Sequence, residues 1–288
     1  MKYLFISLLM LLHITSRSQS FSDSIKSGKQ FYSHGTISVA IICTDGILLA
    51  IDSRITYFEG AAEITPVIAW IDSCSKIVTI GKYKMAVIGS DMKGYKYIYQ
   101  LADSFNKKKR NDAGISKTFS MFKEFVKDKF KVDSTEFFNG NNYIMAGYEK
   151  KSPLIYHVYS SNKIVIRNEM LAIEIGQGNK EIDFFKVFDT FVKGDEKTCD
   201  QILPVLEKSI YKYSSETGRL YIGGPLLVFK INMDNSVVSV RSFHIKRFNS
   251  VREFANSVIS GKTKVNYPNE RGKEIFLQRM KKGLTVNY

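Results

Sequence analysis

A chain of 288 residues, 44% of them apolar, can bury a substantial core as one domain, or as one domain with an extension. That composition excludes a disordered chain, a collagen and a protein that crosses a membrane many times. Lys and Arg outnumber Asp and Glu by 42 to 28, a formal charge of +14, which suits a solvated basic surface or an anionic partner and says nothing about fold.

Residues 1–20 have the layout of a signal peptide. Lys2 supplies the positive start, Tyr3 to Ile14 is apolar except for Ser7 and His13, and Thr15 to Ser20 offers the small residues a signal peptidase accepts. The run is shorter than the ~20 residues that span a bilayer, so no transmembrane segment is expected. Export to a periplasm or to the extracellular space is the expectation; an ordinary buried helix is the alternative. Phe21 to Gly35 is polar and without period, and reads as a pro-segment or linker. Cys43, Cys74 and Cys199 lack CxxC spacing. They read as buried thiols, with one bridge open to them in an oxidising compartment. The four histidines are scattered, with no HExxH and no Cys/His cluster, so no metal and no cofactor are expected. No motif calls for a specific nucleic acid.

At Thr36 the pattern changes. Thr36 to Cys43 and Ile47 to Ile51 are apolar and rich in Ile, and Thr44-Asp45-Gly46 separates them, a hairpin signal. A two-residue Asp45-Gly46 loop turns Asp52 away from Thr36. A three-residue loop with Gly46 left-handed pairs 36 with 54 and 38 with 52, which places Thr36, Ser38, Asp52 and Arg54 on one face. The three-residue loop is the expectation. Residues 55–73 read as a loop with some strand character. A second hairpin follows, near Ser75–Ile80 and Met85–Ser90. Helices are expected over about Asp91–Lys108 and Ser116–Lys131, the latter with Phe119, Phe122 and Val126 on one face. Strands near Tyr143–Tyr148, Leu154–Tyr159 and Ile164–Ile173 precede helices from about Asn179 and over Cys199–Tyr213, where Pro204 marks a start or a kink. A last hairpin joins Leu226–Ile231 to Val237–Phe243. Residues 247–288 form a basic extension with a helix near Glu274–Lys281. Gly176-Gln177-Gly178 does not extend to a phosphate-loop motif. Strands grouped between pairs of helices suggest an α+β fold of two stacked antiparallel sheets with helices outside them.

Thr36 at the first strand, Asp52-Ser53-Arg54 after an Asp-Gly turn, Lys76 opening the next hairpin and Gly89-Ser90 closing it together resemble a proteasome β-type subunit of the N-terminal nucleophile hydrolase superfamily. The resemblance runs from about Gly35 to about Phe243 and implies a four-layer αββα sandwich over residues 36–246. A Gly-Thr pair alone carries little, and a strand threonine is ordinarily structural; the weight lies in the order Thr, Asp, Arg, Lys. The resemblance implies cleavage after Gly35, which frees the α-amine of Thr36. A threonine hydroxyl needs a nearby base, and an α-amine with a pKa of about 7.7–8.0 is partly neutral at pH 7. Lys76 would lower the amine and hydroxyl pKa values, Asp52 would pair with Lys76 and orient it, and Arg54 would brace the strand or join that network. A backbone N–H near Ser90 or Gly89 would meet the oxyanion. Ile55, Cys74 and Ile88 match substrate-pocket positions and imply an apolar side chain at the cleaved bond.

The chain also departs from the family. The supporting serine falls at Gln177, the acidic–serine pair falls at Arg219 and Ile222 ahead of Gly223-Gly224, and Ile37 follows the nucleophile; Ser215 and Glu216 lie nearby as substitutes. The implied function is an exported, bacterial-type threonine peptidase or amidohydrolase that processes itself and acts on a peptide or amide substrate, and a homo-oligomer is compatible with it. The alternative is a noncatalytic relative with an assembly or anionic-partner-binding role. A plain ion pair at strand ends is the structural alternative for Asp52 and Lys76.

Overall fold

The computed structural model describes residues 33–285 except 35, 60–65, 73, 89–91, 94–95, 109–112, 131–141, 160–162, 168–170, 176–180, 191–196, 217–221, 243–246 and 249. Two five-stranded antiparallel sheets form the centre. The first has the order β13-β2-β3-β14-β15, from Leu171–Ile175 (β13), Thr36–Cys43 (β2), Gly46–Asp52 (β3), Leu226–Ile231 (β14) and Val237–Arg241 (β15). The second has the order β12-β11-β10-β7-β6, from Lys163–Arg167 (β12), Ser152–Tyr159 (β11), Asn142–Glu149 (β10), Tyr83–Ile88 (β7) and Ile77–Ile80 (β6). The run expected as a single strand over Ile164–Ile173 is therefore two strands, one at the edge of each sheet.

Strand alternation explains the packing. On β2, Ile37, Val39 and Ile41 point into one buried cluster while Ala40 and the half-buried Ile42 point into another. On β7, Tyr83, Met85 and Val87 oppose Ala86 and Ile88 in the same way. Ala40, Ile47, Leu49 and Ile51 of the first sheet share a single cluster with Ala86, Ile88, Ile144 and Ile155 of the second. The other face of the second sheet packs on helices Ile98–Lys108 (α1) and Ile115–Phe130 (α2) through Phe105, Phe119 and Phe122. The other face of the first packs on Glu181–Asp189 (α3) and Cys199–Glu216 (α4) through Phe184, Leu206 and Tyr213. Each large apolar side chain buried this way stabilises the fold by about 1.5–3 kcal/mol. Pro204 lies inside α4, and the helix continues past it to Glu216.

Three further regions differ from the expectations: the first hairpin, residues 55–97 and the C-terminus. The first hairpin pairs Cys43 with Gly46 and Ser38 with Ile51, so its loop is the two residues Thr44-Asp45 and the expected 38–52 pairing does not form. The cause lies outside the hairpin. Thr44 N–H donates to the Lys197 carbonyl at 2.9 Å, the Cys199 N–H donates to Asp45 at 2.7 Å, and Lys230 pairs with Asp45 at 2.5 Å. Gly46 is required by close approach, since a Cβ there would lie 2.9 Å from the Ile231 carbonyl oxygen.

Next, residues 55–73 contain strands Ile55–Phe58 (β4) and Val67–Ile71 (β5), which with Ser33–His34 (β1) make a three-stranded sheet ordered β1-β4-β5. Short strands Met92–Lys93 (β8) and Lys96–Tyr97 (β9) occupy the start expected for α1.

The third difference is at the C-terminus, which carries two helices, Val251–Ile259 (α5) and Glu270–Thr285 (α6), packed on the three-stranded sheet. Ser250 caps α5 by accepting the Glu253 N–H. Among the described residues no helix is long and apolar enough to cross a membrane.

Candidate active site

The β2–β3 hairpin delivers Thr36 and Asp52 to the same end of the first sheet, and the strand end before β6 delivers Lys76 to them. Lys76 Nζ donates to Thr36 Oγ1 at 2.5 Å and to Asp52 Oδ1 at 3.0 Å. All three are buried: Thr36 is 1% exposed, Asp52 0% and Lys76 3%. An ammonium and a carboxylate withdrawn from water persist only when paired and hydrogen-bonded, and this pair meets that condition.

Asp52 is the most heavily tied group. Oδ1 also accepts the Ile37 N–H at 3.2 Å, and Oδ2 accepts the N–H groups of Gly223 at 3.1 Å and Arg54 at 3.3 Å. Burial pushes the Asp52 carboxyl above the ordinary carboxylate value, against the pull of the Lys76 charge and of the N–H donors. The observed register explains the Ile37 contact. Continuing from Ser38 opposite Ile51, Ile37 falls opposite Asp52, while Ser38 donates its hydroxyl to the Ala50 carbonyl at 3.0 Å. Thr36 and Asp52 are thus joined through Lys76, not through a shared hairpin face.

Arg54 sends its backbone N–H to Asp52 and its guanidinium to Asp72, with Nε 2.8 Å from Oδ1. The guanidinium also lies over the Trp70 ring at 5.3 Å from its centroid, a contact worth about 0.5–1 kcal/mol at a partly exposed site. Gly223 and Gly224 close the floor. A Cβ on Gly223 would sit 2.7 Å from the Arg54 guanidinium carbon, and Gly224 has φ +74 with Ser53 Oγ 2.5 Å from where its Cβ would be. Asp72, Trp70 and the two N–H donors from Ile37 and Gly223 escape the sequence reading. The Gly-Gly pair just before an apolar strand was their one visible signal.

Of the remaining candidates, Gly35 and Ser90 lie outside the described residues, as do Gln177 and Arg219. Cys74 is buried in the cluster beneath α5 and α6, with Ile55 packed against it, whereas Ile88 belongs to the cluster between the two sheets. Ile222 is 1% exposed within the α3/α4 cluster, and its carbonyl accepts the Ser214 hydroxyl at 2.9 Å. Ser215 donates to the Lys212 carbonyl on its own helix. Among the described residues no cluster of His, Cys, Asp and Glu could hold a metal ion.

The arrangement can polarise a hydroxyl. A cation held against Thr36 Oγ1 favours the alkoxide, and a fixed carboxylate keeps that cation in place. No protein-family model matches the chain, and no curated protein sequence does.

Proposed function

We propose that the chain is a proteasome-like N-terminal threonine hydrolase with an αββα fold, exported, cut after Gly35 by its own Thr36, and active on peptide or amide bonds. The observation that carries this reading is the Lys76 ammonium bridging Thr36 Oγ1 and Asp52 Oδ1 at the start of β2. In the precursor, the Thr36 hydroxyl attacks the Gly35 carbonyl carbon. The acyl group passes from nitrogen to oxygen, and water hydrolyses the resulting ester. In the mature chain the freed α-amine takes the hydroxyl proton and Lys76 stabilises the developing alkoxide. Two further features support the reading. Ser33 and His34, just upstream of the proposed cleavage point, lie as an extended strand paired with Tyr57 and Thr56 of β4. Two five-stranded antiparallel sheets that share one buried cluster, each with a further cluster against helices, support the αββα reading.

Intact mass and N-terminal sequencing of the mature protein test the proposal. The expected mature chain begins at Thr36, and Thr36→Ala retains the upstream segment and lacks hydrolysis. A wild-type chain that keeps Phe21–Gly35 attached would sink it, because the α-amine base would not exist.

One observation favours a second reading, a noncatalytic relative that binds an anionic partner. Ile222 is buried apolar packing where the family carries a supporting polar side chain. On that reading Thr36→Ala leaves function intact, and partner binding weakens steeply with salt.

A further inference from the structure

The far end of the β2–β3 hairpin carries a second cluster that the Thr36 site does not use. Cys43 ends β2 and is half-buried; Cys199 opens α4 and is buried. They are neighbours in the fold although 155 residues separate them in sequence, counting 44–198, and each thiol bears on the ionisation of the other. The backbones on both sides are tied together. Thr44, next to Cys43, donates to the Lys197 carbonyl at 2.9 Å, and the Cys199 N–H itself donates to Asp45 at 2.7 Å. Gly46 is the cross-strand partner of Cys43, and a Cβ at Gly46 would stand 3.2 Å from Cys199 Sγ. The Cys199 sulfur therefore rests on the same hairpin rung as Cys43, in room that only glycine leaves. Cys74 belongs to the separate cluster beneath α5 and α6.

We propose that Cys43 and Cys199 form a disulfide that staples the hairpin tip to the start of α4, with a low-molecular-weight or protein disulfide as oxidant. The Cys43 thiolate attacks one sulfur of the oxidant R–S–S–R and expels R–S⁻, which leaves a mixed disulfide. Cys199 loses its proton and attacks Cys43 Sγ, which forms the internal bond and releases the second R–S⁻. Two protein thiols are oxidised and one disulfide is reduced to two thiols, so electrons and protons balance. The neighbouring Cys199 thiol holds the Cys43 thiol below its ordinary value, while the same neighbour and burial push the Cys199 thiol up. Cys43 is the more exposed of the two, which makes it the attacking sulfur and the buried Cys199 the resolving one. The bond would tie the first catalytic-sheet hairpin to a helix far along the chain, a long loop whose closure restrains the unfolded state most.

The inference is independent of whether Thr36 is a nucleophile, and its test does not read activity. Purified full-length protein is incubated with oxidised glutathione, then unfolded, alkylated and digested without reduction. Expected are a loss of two hydrogens in intact mass, a linked peptide pair containing Cys43 and Cys199, an alkyl group on Cys74 alone, and a thermal midpoint raised by several degrees that falls back with reductant. Cys43→Ser and Cys199→Ser each abolish the linked pair and the midpoint shift. Alkyl groups on both Cys43 and Cys199 after oxidation of the folded wild type, or a bridge that uses Cys74, would overturn it.

Discussion

Asp52 is held by four donors, and the balance among them decides what each substitution does. Lys76→Met removes the only cation that bonds Asp52 among the described contacts and leaves a carboxyl that is 0% exposed. Breaking a buried pair from one side costs about 3–5 kcal/mol, so the variant is expected to lose that much in urea unfolding and to stop processing at Gly35. The pH dependence has a definite sign. The folded Asp52 pKa lies above its ordinary 3.8, so the folded chain holds this proton more tightly than the unfolded one. The stabilisation from that proton is complete below 3.8 and is lost as pH rises through the folded value. On the proposed mechanism catalytic competence would run the other way, since the ionised carboxylate is the form that orients Lys76. Processing rate is therefore expected to rise with pH along an acid limb whose midpoint lies above 3.8, while wild-type stability relative to Asp52→Asn falls across the same interval. A processing rate flat from pH 4 to 7 would remove Asp52 from the mechanism.

Elements decide how close those residues come, and there the legibility of the sequence was uneven. Period-2 alternation and turn residues locate β2, β3, β6, β7, β10, β11, β14 and β15 within a few residues, because most of these strands carry long buried apolar runs, while the half-exposed β15 is marked by the Met233-Asp234-Asn235 turn before it. The hairpin register was not legible. Its tip is pulled into a two-residue loop by Lys197, Cys199 and Lys230, all more than 150 positions away in sequence, and no local propensity encodes that. β4 and β5 were hidden for a related reason. Their strand partners are each other, Ser33–His34 and a C-terminal bridge between Trp70 and Asn266, so their order depends on tertiary contacts. In the site, Thr36, Asp52 and Lys76 could be named through the family resemblance, which rests on side-chain identity and order, whereas the Ile37 and Gly223 N–H donors are backbone groups that almost any residue could supply. The Gly223-Gly224 element can be tested directly. Gly224→Ala places a Cβ at φ +74 against Ser53 and Asp72 and is expected to cost at least ~1 kcal/mol by thermal or urea unfolding. Gly223→Ala meets the movable end of Arg54, so it should cost less stability but slow processing by displacing the N–H that holds Asp52.

For the molecule as a whole, the basic C-terminal segment is part of the packing that supports the site. Phe254, Ala255, Val258, Phe276 and Met280 share a buried cluster with Tyr57, Ile68, Ala69, Ile71 and Cys74. Arg279 donates to the Phe58 carbonyl at 2.8 Å and to that of Glu59, and Arg271 pairs with Glu59 at 2.9 Å. Trp70 exchanges backbone hydrogen bonds with Asn266, both at 2.9 Å. This cap therefore covers β5, the strand that carries Trp70 and leads into Asp72; those two hold the Arg54 guanidinium, while the Arg54 backbone N–H holds the Asp52 carboxylate. Its charge faces outward, with Arg271 76% exposed, so a solvated face and a structural role coexist. Truncation after residue 246 would strip the cluster of half its members and leave the edge of β5 unpaired, a template for association. The truncated chain is expected to bind a hydrophobic dye and to self-associate in sedimentation, with processing at Gly35 lost alongside. A double substitution of exposed cations, Arg271→Gln with Lys281→Gln, should leave the unfolding free energy within about 1 kcal/mol of wild type, because an exposed ion pair such as Arg271–Glu59 contributes little. If the truncated chain instead stayed monomeric and processed normally, the cap would be an appendage, and the route from α5 and α6 through Trp70 to Arg54 would have no part in forming the site.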